Sequence, residues 1–213
     1  MEEKLTGKKK LKNDLEYFWM DNKLPVLAVL VVVFLGIYFL FINMTQKETA
    51  LSVMLIDCHS NMSGEDMAED FMKESGLDGK KYQVQIQSNL LFQGTDSGSY
   101  TMTSLSKFMS DIGSEKLDVC AMLEDDFKKY DKSGSYLDLR ECLSAEQLEK
   151  LKDKLLTASD GRVIGIYADN LPVMKQYGCY ENKDTRAAIG IIYNTPHRDE
   201  AVKYLLYAAG MRE

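Results

Sequence analysis

An unbroken apolar run near the N-terminus is the clearest hydrophobic pattern in the chain. Residues Leu24 to Ile42 include no charged side chain over 19 positions. As a helix rising about 1.5 Å per residue, this run would cover roughly the 30 Å hydrocarbon core of a bilayer. Helices in the cores of soluble domains are usually amphipathic, whereas this run is apolar on every face. The pattern therefore predicts a transmembrane anchor that contacts the lipid bilayer through Leu24 to Ile42.

The charges on the two sides of this run predict its orientation. Six lysines lie in residues 1–23, whereas Lys47 is the only lysine or arginine in the twenty positions after Ile42. Because flanking lysines stay in the cytoplasm, we expect a cytoplasmic segment at 1–23, an anchor at 24–43 and an extracellular domain at 44–213. The run does not end in the small residues of a signal-peptide cleavage site. We therefore expect an uncleaved, single-pass protein of the cell membrane.

Beyond the anchor, short apolar runs alternate with amphipathic segments. Ala50–Asp57 is apolar and predicts a buried strand. Ser63, with Asp66 three residues later, has the pattern of a helix N-cap, and Gly76 is placed to end that helix. Tyr82–Gln87 alternates apolar and polar residues, which predicts a second strand near a sheet edge.

The same alternation continues through the middle of the chain. After a predicted loop at Gln93–Ser99, apolar residues recur at helical spacing and the helix is expected to end at Gly113. The inner face of this helix is expected to comprise Leu105, Phe108, Met109 and Ile112. Leu117–Met122 then predicts a third buried strand, and a short helix containing Phe127 and Tyr130 follows it.

The last third of the chain predicts two helices and two more strands. Ser144 and Gln147 form a capping-box pattern at the start of a helix predicted to end at Leu156. Arg162–Ala168 and Ala187–Asn194 are strand candidates, and each has a Gly-Ile pair at its centre. A final helix is expected after them, capped by Thr195, opened by Pro196 and ended by Gly210.

Strands separated by helices of this length are typical of right-handed crossover units with a parallel sheet between two helical layers. The sequence therefore predicts a three-layer α/β domain.

Charge and cysteine content exclude several classes of function. Residues 44–213 contain 20 basic and 28 acidic residues, and this acidic balance argues against a nucleic-acid partner. Four cysteines lie in the predicted outer domain, where disulfides are stable, and they allow three pairings: Cys58, Cys120, Cys142 and Cys179. They form no CxxC motif, and His59 and His197 lack the spacing of a zinc finger, so we expect no metal and no cofactor.

Polar residues after the first three strands are the candidate ligand-binding positions. These residues are Asp57, His59, Ser60, Asn89 and Glu124. Open α/β sheets tend to bind ligands at the carboxyl ends of their strands, so these side chains could share one crevice. A simpler interpretation exists for Glu124, Asp125 and Asp126, because acidic residues stabilise a helix N-terminus without any ligand.

Enzymatic motifs are absent from the sequence. It contains no Gly-rich phosphate loop, no GxSxG elbow and no HExxH motif. Cys58 and His59 are adjacent, so on a strand they would point to opposite faces and could not form a nucleophile–base pair. His197 is expected to be solvated at the first turn of a helix. We therefore predict that the chain has no catalytic residues and is not an enzyme.

The order of the predicted elements resembles that of the type 2 periplasmic solute-binding proteins, the extracellular receptors of ABC importers. The matching segments are Leu117–Met122, Asp126–Tyr130 and Gly134–Leu139, then Ile189–Asn194 and Glu200–Leu205. The resemblance implies the fold of one lobe of these receptors, a solute-binding role and an ABC-type transporter as partner. The tethered, one-lobed form is also similar to small membrane proteins of Gram-positive gut bacteria.

The chain departs from those receptors where their second lobe should be inserted. Only the 18 residues Asp169 to Arg186 occupy that position, and so short a segment cannot bury a core of its own. We therefore do not expect a two-lobed clamp in this chain. Two hypotheses follow: a non-enzymatic extracytoplasmic interaction module with a membrane protein or transporter as partner, and a reduced solute-binding or ligand-sensing domain.

Overall fold

The computed structural model describes residues 16, 19, 23–39, 47–92, 98–132, 134–180 and 186–211. The chain divides into two compact units, residues 1–46 and 47–213. In the first unit, residues 23–39 form helix α1, whose apolar side chains are exposed, for example Leu27, Val32 and Phe34. Over the residues described, no helix combines the length and the apolarity needed to cross a membrane. Residues 40–43 of the predicted anchor lie outside the described part.

Six strands in the described part of the second unit form one mixed sheet. They are β1 Glu48–Ile56, β2 Tyr82–Leu90, β3 Val119–Leu123, β4 Leu155–Thr157, β5 Val163–Tyr167 and β6 Ala187–Ile191. Their order across the sheet is β2-β1-β3-β6-β5-β4. β1 runs parallel to β2 and β3, whereas β6 is antiparallel to both β3 and β5. The edge position predicted for the second strand is confirmed.

The prediction of a parallel sheet is correct for β1 to β3 and wrong for the other half. β4 pairs antiparallel with β5, and only residues 158–162 join them. A connection this short can join antiparallel neighbours only, because a parallel crossover needs a dozen residues or more. The sequence pattern missed β4, because it predicts a helix that continues to Leu156.

The helices of this unit lie between the strands, as the sequence predicts. They are α2 Gly64–Ser75, α3 Gly98–Gly113, α4 Glu124–Asp131, α5 Ala145–Leu151, α6 Pro172–Gln176 and α7 Arg198–Ala208. Two predicted caps are confirmed. The Ser63 hydroxyl accepts a hydrogen bond from the Asp66 amide at 3.1 Å, and Ser144 and Gln147 form a complete capping box. Residues 93–97 of the predicted loop before α3 lie outside the described part.

Three details of the predicted helices are wrong. α5 ends at Leu151, because a 3-10 turn and β4 follow where the helix was predicted to continue. α7 begins at Arg198 rather than Pro196, since the Thr195 hydroxyl accepts from the His197 amide and is not the helix cap. Met109 is 52% exposed, so it lies outside the core face of α3.

Hydrophobic cores on both faces of the sheet make the domain three-layered. Leu51, Val53 and Leu55 of β1 join one core with side chains of α2, α6 and α7. Met54 and Ile56, on the opposite face of the same strand, join a second core with side chains of α3 and α4. The prediction of an α/β domain is therefore confirmed.

The paired Gly-Ile motifs of the sequence have a packing explanation. Gly165 of β5 and Gly190 of β6 lie under the ring of Phe127, which stacks on Tyr136 with ring centroids 3.8 Å apart. A Cβ at Gly190 would lie 2.5 Å from the Ile164 carbonyl oxygen and 2.7 Å from the Phe127 ring. Both strands therefore require glycine here so that the sheet and the aromatic pair can approach.

Candidate functional site

Two of the five predicted ligand positions serve the fold itself. Asp57 follows β1 with φ of 56° and is 1% exposed, and its Oδ1 accepts a hydrogen bond from the Phe92 amide at 2.9 Å. The Ser60 hydroxyl donates to the Tyr177 carbonyl at 2.7 Å and accepts from the Met62 amide at 3.0 Å. These bonds hold the turn after β1, so neither side chain projects freely into a crevice.

The other three predicted positions differ in their surroundings. His59 and Asn89 are exposed, whereas Glu124 is partly buried at the N-terminus of α4. Acidic residues occupy the first turn of α4, as expected for a helix start. Glu124 is the one predicted position that belongs to a charged cluster at this edge of the sheet.

Residues that the sequence did not indicate complete the cluster around Glu124. Its Oε1 lies 2.6 Å from the Lys128 ammonium and accepts a hydrogen bond from the Tyr167 hydroxyl at 3.1 Å. The Arg186 guanidinium lies 3.2 Å from the centre of the Tyr167 ring, and its Nε lies 3.6 Å from Asp169 Oδ1. Sequence reasoning missed Tyr167 and Arg186 because they lie at the ends of β5 and β6, far from Glu124 along the chain, whereas Lys128 lies one helical turn after Glu124 in α4.

The pKa of Glu124 indicates a carboxylate that is already paired. Partial burial acts to raise this pKa, but the hydrogen bonds from Lys128 and Tyr167 outweigh burial and hold it below its usual value. A carboxylate with a lowered pKa is a poor general acid at neutral pH. The cluster can orient charged groups at the surface, and its carboxylate is not poised to donate a proton at neutral pH.

The described part of the connection between β5 and β6 fills the rest of the crevice. We call residues 169–180 the strap. The Tyr180 hydroxyl donates to the Ile56 carbonyl at 3.0 Å, and the backbone amide of Asn61 donates to the Tyr177 carbonyl at 3.2 Å. Met174 and Tyr177 are completely buried. The strap therefore packs across the carboxyl end of β1, where a ligand of an open sheet would otherwise lie.

A disulfide fastens the strap to the turn after β1. Of the six pairs that four cysteines can form, the structure contains one, Cys58–Cys179, with Cα atoms 5.0 Å apart. Cys120 and Cys142 are free. Burial raises the pKa of the Cys120 thiol well above its usual value and that of Cys142 to about 11. Both thiols therefore stay protonated and unreactive at neutral pH.

A groove of about 750 Å³ lies beside the strap, between α2, α6 and α7. Pro172, Tyr207 and Met211 contribute accessible apolar surface to it. Charged side chains of both signs line it as well, namely Asp70, Lys73, Glu74 and Lys203. A groove with an apolar floor and a polar rim has the composition of a protein interface.

A histidine–aspartate pair lies at the opposite, amino end of the sheet. Asp118 is 1% exposed and accepts hydrogen bonds from the Ser52 amide at 2.7 Å and from the Thr195 hydroxyl. The His197 Nδ1 lies 3.1 Å from the same carboxylate. The expectation that His197 is solvated is therefore wrong, since its side chain is 34% exposed and tied to Asp118. The sequence signal for this pair was Asp118 itself, because a charged residue inside the apolar run Leu117–Met122 needs a polar partner when it is buried.

Within the described ranges, no cluster of three or more histidine, cysteine or acidic side chains could hold a metal ion. Comparison of the chain with protein families, with curated proteins and with solved structures gives no match. The function must therefore be inferred from the domain's own geometry.

Proposed function

We propose that the chain is a membrane-tethered, non-enzymatic interaction module that works on the outer face of the cell membrane. The observation that carries this proposal is the strap, whose buried side chains and disulfide occupy the crevice above β1. A domain that fills this crevice with its own chain has no room there for a trapped solute. A concave surface elsewhere on the described part of the domain, the groove between α2, α6 and α7, has the composition of an interface.

The tether and its orientation rest on three observations. The run Leu24–Ile42 is apolar on every face, six lysines precede it, and Lys47 is the only basic residue in the twenty positions after it. The described part of this run is a helix with large apolar side chains exposed, which an aqueous environment would not favour. The Cys58–Cys179 disulfide fits an oxidising compartment outside the cytoplasm.

The groove favours a protein segment as partner. Its apolar floor would bury the apolar side of an amphipathic segment, while Asp70 and Lys203 could pair with charges of either sign along the rim. A partner of a tethered domain must itself lie near the membrane. We therefore expect the occupant to be an outer segment of a membrane protein, such as a transporter or an envelope complex.

Site-specific photo-cross-linking of the full chain in its host membranes would test this. A benzophenone amino acid would replace Gln176, an exposed residue of the groove, and Met102, an exposed residue of α3, as the matched control. We expect Gln176 to form an adduct with one membrane protein and Met102 to form none with it. Equal labelling at both positions, or no adduct at Gln176, would contradict the proposal.

A second function, a reduced ligand-sensing domain, is favoured by one specific observation. Glu124, Tyr167 and Arg186 place opposite charges and an aromatic ring together at the carboxyl edge of the sheet. Zwitterionic solutes such as amino acids would suit such a set. A thermal-shift screen of the full chain would support this function if an amino acid, sugar or peptide raised the melting temperature, and the absence of any shift would reject it.

A further inference from the structure

One wall of the groove belongs to the strap. Pro172, Val173 and Gln176 line the groove, and all three lie in α6. A helix of only five residues is too short to be stable by itself. The position of this wall must therefore come from contacts that the strap makes with the rest of the domain.

The Tyr180 hydroxyl binds the strap to Ile56 of β1 and the Tyr177 hydroxyl binds it to Met67 of α2, while three further anchors lie on the turn after β1. Cys179 is bonded to Cys58, and the Tyr177 carbonyl accepts hydrogen bonds from the Ser60 hydroxyl and the Asn61 amide. Water can replace either hydrogen-bond donor when the strap lifts, so each bond contributes little net free energy. The disulfide differs from these hydrogen bonds because it stays intact when the strap moves away from the turn.

Apolar burial opposes the release of the strap but competes with a comparable loss of entropy. Val173, Met174 and Tyr177 are at most 6% exposed, and their burial favours the closed strap. Fixing about ten residues of irregular chain costs conformational entropy of similar size. When the free energy of burial and the entropy of ordering the strap nearly cancel, a covalent link decides whether the strap is closed or released. The disulfide favours the closed strap because it restricts the conformations of the released one.

We propose that the Cys58–Cys179 disulfide is a latch that assembles the groove, so that the groove is formed in the oxidised protein and lost in the reduced protein. On oxidation, the two thiols lose two protons and two electrons as the S–S bond forms. A disulfide-bonded oxidant accepts the electrons by thiol–disulfide exchange and leaves as a dithiol. The consequence for docking rests on the proposed function: the partner would bind only after the domain has reached an oxidising compartment.

Hydrogen–deuterium exchange of the full chain in detergent tests the latch without any partner. The double variant Cys58→Ala/Cys179→Val removes the link while keeping apolar side chains at both sites. We expect the amides of residues 173–177 to exchange about tenfold faster or more, while β3 and β6 keep their protection. Unchanged exchange at 173–177 would overturn the latch. Equal loss of protection in β3 and β6 would also overturn it, because the disulfide would then stabilise the whole domain.

Two single variants serve as matched controls. Cys142→Ala removes a free, half-buried thiol, and Ser60→Ala removes one hydrogen bond to the strap with the disulfide intact. We expect exchange at 173–177 to stay close to wild type in both. If Ser60→Ala freed this segment as much as loss of the disulfide does, the latch would be wrong. If hydrogen–deuterium exchange confirmed the latch but Gln176 formed no adduct in the oxidised chain, the proposed docking would be wrong and the latch would stand.

Discussion

Removal of a single phenolic oxygen should have opposite effects at two buried tyrosines. The Tyr180 hydroxyl donates to the Ile56 carbonyl at 3.0 Å and thereby ties the strap to β1. The Tyr204 hydroxyl is completely buried and has no hydrogen-bond partner among the residues that the structure describes. Tyr180→Phe therefore breaks a hydrogen bond, whereas Tyr204→Phe removes a polar group that the fold leaves unsatisfied.

The magnitudes follow from the burial of both rings. Tyr180 is 3% exposed, so Tyr180→Phe should lower the free energy of unfolding by about 1–3 kcal/mol, the cost of an unsatisfied buried group. Tyr204→Phe should raise the free energy of unfolding by about 1 kcal/mol, since a buried unpaired hydroxyl is itself a penalty. The Tyr204 ring would keep its edge contact with Phe71, whose centroid lies 5.1 Å away.

Urea unfolding of the full chain in detergent, followed by far-ultraviolet circular dichroism, would measure both changes. The only tryptophan is Trp19 in the N-terminal unit, so its fluorescence would not report on the α/β domain. In a domain of this size, 1 kcal/mol corresponds to a shift of about 2–4 °C in melting temperature. Equal destabilisation by Tyr180→Phe and Tyr204→Phe would refute the reasoning, because it would mean that both hydroxyls are satisfied in the folded state.

Two further predictions concern the sheet and the response to alkali. Gly190→Ala should lower the free energy of unfolding by about 1–3 kcal/mol, because its Cβ would lie 2.5 Å from the Ile164 carbonyl oxygen. Gly113→Ala has open space and should be neutral or stabilising in the same urea assay. Burial raises the pKa of the Tyr180 and Tyr204 phenols, so the folded state retains protons that the unfolded state loses above about pH 10. Stability should therefore be unaffected by these phenols below about pH 10 and fall progressively as the pH rises above it, and Tyr204→Phe should reduce the slope there by up to about 1.4 kcal/mol per pH unit.

Local signals in the sequence predicted most helices and strands correctly. The cap at Ser63 and the capping box at Ser144 were found from residues three positions apart, and the apolar run around Val119 was identified as a strand. Short strands were harder to predict. β4 has three residues, and nothing in Leu155–Thr157 distinguishes a strand from the last turn of a helix.

The candidate site was predicted less well than the fold. Glu124 was found because it follows a strand, but its partners Tyr167 and Arg186 were missed. The bond between Asp118 and His197 joins residues 79 positions apart, and no local pattern indicates such a contact. Asp57 was placed at the correct end of β1, but its role in holding Phe92 could not be deduced from sequence position.

The sequence by itself determined the apolar segment, the acidic balance of residues 44–213 and the order of helices and strands, because each depends on composition or on residues a few positions apart. Only the tertiary structure decided the strand order, the choice of Cys58–Cys179 among six possible cysteine pairs and the closure of the crevice by the strap. The disulfide joins residues 121 positions apart, and the bond from Tyr180 to Ile56 spans 124. Such contacts form only when the whole chain packs around two cores, so their free energy is shared among distant residues.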